Sequence, residues 1–257
     1  MPAGSTLTGH FVWHDLMTTD LTTAVTFYGA VFPEWKISSV EMGEAGTYHL
    51  INVDGQDVGG IVELPEQAGL SSHWIPYVAV DDCDVAVRSC TELGGTAVLP
   101  PVEIPNVGVS AVLRDDQGAV FKPFEPTRDI TRADMAASGQ FTFDELLTAD
   151  LSRSRSFYQT VFGWSSIEVP MGNTDSYVLF RLGDQDVAGA MMMPADAQAA
   201  PHWLTYLYAE NIDERSDQVE DLGGTTQAKP RDIPGVGRFA VHTDPNGATF
   251  ALFLKAR

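Results

Sequence analysis

Basic residues are scarce in this chain: 15 Lys and Arg stand against 35 Asp and Glu, a formal net charge of −20. Phosphate recognition needs clusters of Lys and Arg, so neither nucleic acid nor an anionic membrane surface is an expected partner. Cysteine is nearly absent. Cys83 and Cys90 are the only two, and seven positions of helix put them about 10 Å apart along its axis, too far for a disulfide within it. Reduced thiols fit a cytoplasmic protein, and that is the expected location. Long apolar runs are missing as well, and nothing approaches the roughly 18 residues of a membrane span. The opening MPAGSTLTGH has neither the basic nor the apolar region of a secretory signal. What is left is the composition of an ordinary globular protein with a solvated acidic surface.

Against these absences stands a repeat. Residues 11–32, FVWHDLMTTDLTTAVTFYGAVF, return at 141–162 as FTFDELLTADLSRSRSFYQTVF. Leu16/Leu146, Asp20/Asp150, Leu21/Leu151, Phe27/Phe157, Tyr28/Tyr158 and Phe32/Phe162 are identical at a fixed offset. After one deletion near Pro33–Glu34, Tyr48/Tyr177, His73–Trp74/His202–Trp203, Gly94–Gly95/Gly223–Gly224 and Gly118/Gly247 agree. A duplication explains this most simply. The predicted domains are 10–125 and 140–257, and the polar stretch 126–139 reads as the linker.

Each copy divides again. An extended run at 11–17 precedes Asp20, which can cap a helix whose buried stripe is Leu21, Ala24, Val25, Tyr28, Val31 and Phe32. YHLINV and VGGIVEL follow as strands around the turn DGQD. WIPYVAV opens the second unit, a helix runs from about Val85 to Leu93, Gly94–Gly95 stop it, and GVSAVL and AVFKPF close the unit around DDQG. The chain therefore holds four strand–helix–strands modules.

The segments VWHDLMTTDLTTAVTFYGAVF, YHLINVDGQDVGGIVELP, HWIPYVAVDD and DDQGAVFKPFEP, with their partners in the second copy, resemble the vicinal-oxygen-chelate superfamily. It includes glyoxalase I, extradiol dioxygenases and the bleomycin-resistance proteins. The arrangement is most similar to the two-domain actinobacterial antigen-like glyoxalase-family proteins. The resemblance covers nearly the whole chain except the linker. It implies an α+β fold of four βαβββ modules, forming two tandem glyoxalase-like domains with curved mixed sheets. It leaves the activity open, because one scaffold hosts many chemistries.

Metal-dependent relatives take a ligand from the first strand, seven residues before the Asp of the strand–helix junction. Trp13 and Phe143 occupy that slot here. The second slot holds Ile75 and Leu204, and the terminal glutamate slot holds Lys122 and Ala251. Only Glu63 matches a family oxygen donor, and Met192 replaces it in the second copy. His14 is out of phase with the slot by one residue, which turns it toward the helices, since strand side chains alternate. Neither a metal nor another cofactor is expected, because a divalent ion needs imidazoles or carboxylates where the chain offers aromatic, aliphatic and ammonium groups. Cups could close within a copy or by exchange between copies, and either pairing collects the same residue types.

The inward positions then give the candidate site. Trp13, Met17, Glu63, Ile75, Tyr77, Lys122, Phe124, Phe143, Leu204, Tyr206, Tyr208 and Phe253 are the candidate ligand-binding residues. They form apolar walls with few polar groups, as in small-molecule pockets, or else simply fill the sheet face. Asp15 and Glu145 recur at one inward place and are the candidate catalytic residues. They can act as general bases, anchor a ligand hydroxyl, or hold the sheet's backbone. His73–Trp74 and His202–Trp203 read as packing pairs rather than catalytic ones. The expected function is metal-free binding of a hydrophobic or aromatic small molecule. A metal-independent isomerase or lyase using Asp15 and Glu145 is the alternative, and a metal-dependent glyoxalase or extradiol dioxygenase comes third. A monomer is expected, since duplication already supplies four modules, with a homodimer as the other arrangement.

Overall fold

The computed structural model describes residues 7–43, 46–65, 69–128, 137–171, 175–194 and 199–256. The first copy runs β1 (Phe11–Thr18), α1 (Leu21–Val31), β2 (Lys36–Glu41), β3 (Thr47–Val53) and β4 (Gln56–Glu63). It continues with β5 (His73–Ala79), α2 (Cys83–Glu92), β6 (Thr96–Ile104), β7 (Gly108–Arg114) and β8 (Val120–Pro126). The second repeats this order with β9 (Phe141–Thr148), α3 (Leu151–Phe162), β10 (Ser165–Met171), β11 (Asp175–Leu182) and β12 (Gln185–Met192). Its last module is β13 (His202–Tyr208), α4 (Ile212–Asp221), β14 (Thr225–Ile233), β15 (Gly237–Thr243) and β16 (Thr249–Lys255).

Each copy supplies one eight-stranded mixed sheet. The strand orders are β2-β3-β4-β1-β5-β8-β7-β6 and β10-β11-β12-β9-β13-β16-β15-β14. Within every module the first strand pairs in parallel with the last, as β1 does with β4 and β5 with β8. A parallel pair needs a long crossover, and the module's helix lies on that path. The α+β class of four βαβββ modules is thus the observed one.

Aspartates start three of the helices. The side chains of Asp20, Asp82 and Asp150 accept the N–H groups of Thr23, Val85 and Arg153, filling donors that a helix start leaves open. This is why α2 begins at Cys83 and not at Val85 as the sequence suggested: Asp82 is already the cap. In α1 the buried residues are Ala24, Phe27, Tyr28 and Val31. Leu21 and Val25 are only partly covered, and Phe27 belongs to the stripe. Cys83 and Cys90 are both buried and free. Burial pushes their thiols up to about 12 and about 11, which leaves them protonated and weakly nucleophilic. Among the described residues no helix is long and apolar enough to cross a membrane.

The chain gathers into two compact units, each built from both copies. One comprises Met1–Trp13, Pro76–Arg132 and Phe143–Trp203; the other comprises His14–Ile75, Ala133–Thr142 and Leu204–Arg257. Phe121, Tyr158, Phe162, Trp164, Phe180 and Trp203 lie in the core of the first. Tyr28, Phe32, Trp35, Trp74, Phe141 and Phe250 lie in that of the second. Of the linker, 129–136 fall outside the described residues. Its last residues are packed in the second unit, where Trp35 Nε1 donates to the Gly139 carbonyl at 2.8 Å.

One polar knot recurs in both cores. In the first, Trp203 Nε1 donates to the Tyr158 hydroxyl at 3.1 Å, and Tyr158 donates to Asp115 Oδ2 at 2.9 Å. Asp115 Oδ1 accepts the N–H groups of Gln117, Gly118 and Ala119 at 2.9, 2.7 and 2.8 Å. In the second, Trp74 donates to Tyr28 at 3.0 Å. Tyr28 faces the Asp244 carboxylate, whose Oδ2 makes no well-formed bond. Burial raises the carboxyls of both aspartates above their ordinary range and pushes both phenols far up. The turns DDQG and DPNG thus hold a helix tyrosine contributed by the other copy.

Candidate functional site

The phase of β1 decides what the sheet presents. Leu16 lies in the core, and His14, 3% exposed, stacks on Phe141 with ring centroids 4.1 Å apart. Alternation places Asp15 on the opposite face, where the Tyr48 hydroxyl donates to Asp15 Oδ1 at 2.6 Å. Strand β4 lies between β1 and β3, so the tyrosine must reach across it. Gly60 stands opposite both Asp15 and Leu50 in the ladders. A Cβ at Gly60 would lie 2.0 Å from the Tyr48 oxygen. Only glycine allows the crossing.

The second copy repeats the device in the other unit. Tyr177 donates to Glu145 Oε1 at 2.6 Å. Gly189 pairs with Glu145 across the ladder, and a Cβ there would lie 1.9 Å from the Tyr177 oxygen and 3.0 Å from the Phe143 ring. The extra methylene of Glu over Asp leaves the bond length unchanged.

A further tyrosine differs between the copies. Tyr77 and Lys122 are ladder partners, and the Lys122 ammonium donates to the Tyr77 hydroxyl at 2.7 Å while lying 4.5 Å from its ring centroid. Phe124 meets Tyr77 edge-on at 6.2 Å. In the second copy Tyr206 faces Ala251 and Tyr208 faces Phe253, and Phe253 packs edge-on against Tyr206 at 6.3 Å. The same ring pair therefore has a lysine as ladder neighbour in one copy and an alanine in the other.

The remaining sequence candidates lie as follows. Trp13 and Met17 are half-buried, Ile75 and Leu204 are buried, and Glu63 is exposed at the end of β4, opposite Thr18. By unit, Trp13, Tyr77, Lys122, Phe124, Phe143 and Glu145 fall in one. Asp15, Met17, Glu63, Ile75, Leu204, Tyr206, Tyr208 and Phe253 fall in the other. Contacts join Tyr77, Lys122 and Phe124, then Glu145 and Phe143 around Gly189, then Tyr206 and Phe253. Tyr48, Tyr177, Gly60 and Gly189 are absent from the sequence-derived set. The signal for the tyrosines is their identity between copies, and for the glycines their place inside strands.

The family's metal slots do not fit an ion. Indole, phenyl and aliphatic groups carry no donor lone pair for it, and the Lys122 ammonium would repel it. Among the described residues no three His, Cys, Asp or Glu side chains gather in a metal-binding cluster. The paired histidines have backbone partners: the Nδ1 atoms of His73 and His202 bond the carbonyls of Ser71 and Ala200 at 2.6 and 2.8 Å. Their tryptophans serve the core knots. A groove of about 210 Å³ lined by Leu93, Asp116, Ser152, Arg153, Ser156 and Phe157 contains no residue of the candidate set. The candidate residues all lie on strands of the two sheets.

Residues 140–183 match the family model for the bleomycin resistance protein-like N-terminal region. The chain is 32% identical over 248 residues to CFP32 of Mycobacterium bovis, named provisionally as a glyoxylase, covering 95% of this chain and 94% of that protein. It is 27% identical to the anthracycline biosynthesis protein DnrV of Streptomyces peucetius, covering 93% of this chain and 91% of the relative. Among solved structures, the Mn(II)-bound glyoxalase from Novosphingobium aromaticivorans shares the fold with a TM-score of 0.65 at 12% identity, over 96% of this chain and 82% of that one. The 2,3-dioxygenase LapB from Pseudomonas sp. KL28 does so with a TM-score of 0.66 at 13% identity, over 98% and 94%. Duplicated βαβββ modules, two mixed sheets and a full-length relative lead to one assignment: the chain belongs to the vicinal-oxygen-chelate superfamily, among its glyoxalase-like and bleomycin-resistance-like proteins.

Proposed function

We propose that this protein binds a hydrophobic, aromatic small molecule on the sheet faces carrying the tyrosine–carboxylate pairs, and that it needs no metal to do so. The observation that carries the reading is the recurrence of those pairs in both copies, beside aromatic side chains, while of the metal slots only that of Glu63 holds a donor. Aromatic walls desolvate a flat ligand and contribute most of its affinity, and a few fixed polar groups orient it. The relative named for anthracycline biosynthesis supports this ligand class, because anthracyclines are hydroxylated polycyclic aromatics.

A second reading is favoured by the 2.6 Å bonds. In a metal-independent isomerase- or lyase-type step, Asp15 or Glu145 would take a proton from the ligand, and the bonded tyrosine could deliver one elsewhere on it. A metal-dependent glyoxalase or dioxygenase comes third: such proteins share the fold, but the slot residues offer them no ligand set.

Elemental analysis of the purified protein is expected to find divalent metal far below one equivalent, and one equivalent per copy would overturn the metal-free reading. Asp15→Asn combined with Glu145→Gln should weaken aromatic binding roughly tenfold or more if the carboxylates anchor the ligand, since hydrogen bonds to charged groups contribute about 1.5–3 kcal/mol. It should abolish turnover if they are bases. Unchanged behaviour in both assays removes the carboxylates from the site.

A further inference from the structure

We propose that the second copy's sheet carries a subsite for the carboxylate of an aromatic ligand, and that Arg231 is the group that reads it. This deepens the small-molecule reading above and rests on it. The ladders of β13, β16, β15 and β14 align Tyr208, Phe253, Phe239 and Arg231 in one transverse row. Residues directly opposite in a ladder share a sheet face, and at about 4.8 Å per strand the row is about 14 Å long. That face is turned away from the core. Leu252 and Ala240, the chain neighbours of Phe253 and Phe239, lie in the core, and strand side chains alternate. Arg238, the other neighbour of Phe239, points toward the helix side, where Asp213 of α4 and Asp232 hold it.

Arg231 differs from Arg238 in having no carboxylate. It is exposed, and its guanidinium lies over the Phe239 ring, 4.7 Å from the centroid. Among the described residues it makes no hydrogen bond or ion pair. Stacking on a ring occupies the flat face of a guanidinium and leaves its in-plane N–H groups for a planar acceptor. A carboxylate fits that fork with two parallel bonds. Phe253 and Tyr208, both half-buried, continue the row as an aromatic strip. A flat ligand ending in a carboxylate matches both parts of it.

The first copy shows that the fold does not require this row. At the same ladder positions it has Ala79, Phe124, Ser110 and Val102. The same sheet is built there with Ala, Ser and Val where the second copy has two further rings and a cation. Charge bears on the choice of ligand as well. The net charge of −20 repels anions in general, so attraction of a carboxylate has to come from a local cation that no acidic side chain neutralises.

The test titrates the full chain with anthraquinone-2-carboxylate and with anthraquinone-2-carboxamide, which keeps the rings and the shape but has no charge. At low ionic strength the carboxylate is expected to bind roughly fivefold tighter or more, and the preference to shrink as salt screens the pair. Arg231→Gln should abolish the preference by weakening the carboxylate far more than the carboxamide. Arg88→Gln removes the same charge from α2 and should leave the preference intact, with thermal melting to confirm that both variants fold. Equal binding of the two compounds by the unaltered protein, a preference that survives Arg231→Gln, or an equal loss in Arg88→Gln overturns this proposal alone. So does sedimentation in which Arg231→Gln dissolves a dimer and the carboxylate preference stays, which gives the guanidinium to a second copy. Failure of the unaltered protein to bind either compound overturns the underlying reading and this proposal with it.

Discussion

Asp115→Ala is expected to lower the unfolding free energy by about 4 kcal/mol, and the melting temperature by roughly 10 °C, for a chain of this size. The aspartate accepts three backbone N–H groups and the Tyr158 hydroxyl inside a core. Alanine removes the side-chain acceptor of the Gln117 and Ala119 N–H groups and of the Tyr158 hydroxyl, while the Gly118 N–H keeps the Asp115 carbonyl at 3.3 Å; each lost partner costs about 1–3 kcal/mol, not fully additively. The charge is not the source of the stability. Burial raises the folded pKa of Asp115 above its unfolded value, so its linkage contribution is full below the ordinary carboxylate range and is lost as pH rises through the raised value. The deficit of the alanine variant should therefore grow as the solution is acidified. Asp115→Asn keeps the acceptor for the backbone groups and should cost less. Chemical denaturation of the three proteins at pH 7 and pH 4 decides it, and an alanine variant as stable as the unaltered protein at both pH values would discard the knot as a stabilising element.

The second large effect comes from His242. It is fully buried, with Ser216 Oγ at 3.0 Å and Thr226 Oγ1 at 3.2 Å from its ring nitrogens. Burial lowers its pKa from 6.5 to about 4. A histidine with a depressed folded pKa stabilises fully above the unfolded value, and that contribution disappears as pH falls from 6.5 toward 4. Between those limits the linkage amounts to about 3 kcal/mol. Between pH 7.5 and 4 the unaltered protein should lose about that much more stability than His242→Asn, whatever the carboxylates contribute to both. Parallel loss in the two proteins would mean that His242 titrates as freely when folded as when unfolded.

Both residues show how far the sequence could be read. Asp115 was legible as the first residue of a turn, DDQG, because turn aspartates bond their own backbone. Its bond to Tyr158, 43 residues away, leaves no local trace. His242 has no counterpart in the first copy and no ligand spacing, so nothing marked it as a core residue. The face assigned to His14 followed from alternation alone; its ring is buried as expected, but its stacking partner, Phe141, opens strand β9 and is not on a helix. The carboxylates Asp15 and Glu145 stood out because an acid recurs at an inward position. Their tyrosines did not, because Tyr48 and Tyr177 lie two strands away across a glycine.

Local rules and the repeat were enough to determine the modules: Asp20, Asp82 and Asp150 start helices, period-two runs make strands, and two copies that share their capping, turn and apolar positions fold alike. Which module packs on which was decided only in three dimensions. The helix stripes of the two copies carry the same residues at Leu21/Leu151, Phe27/Phe157, Tyr28/Tyr158 and Phe32/Phe162, so the apolar pattern cannot choose among partners. The strand ladders stay within a copy, while each core joins modules from both. Hydrophobic burial is non-directional, and only the geometry of the assembled chain selects the surfaces that meet.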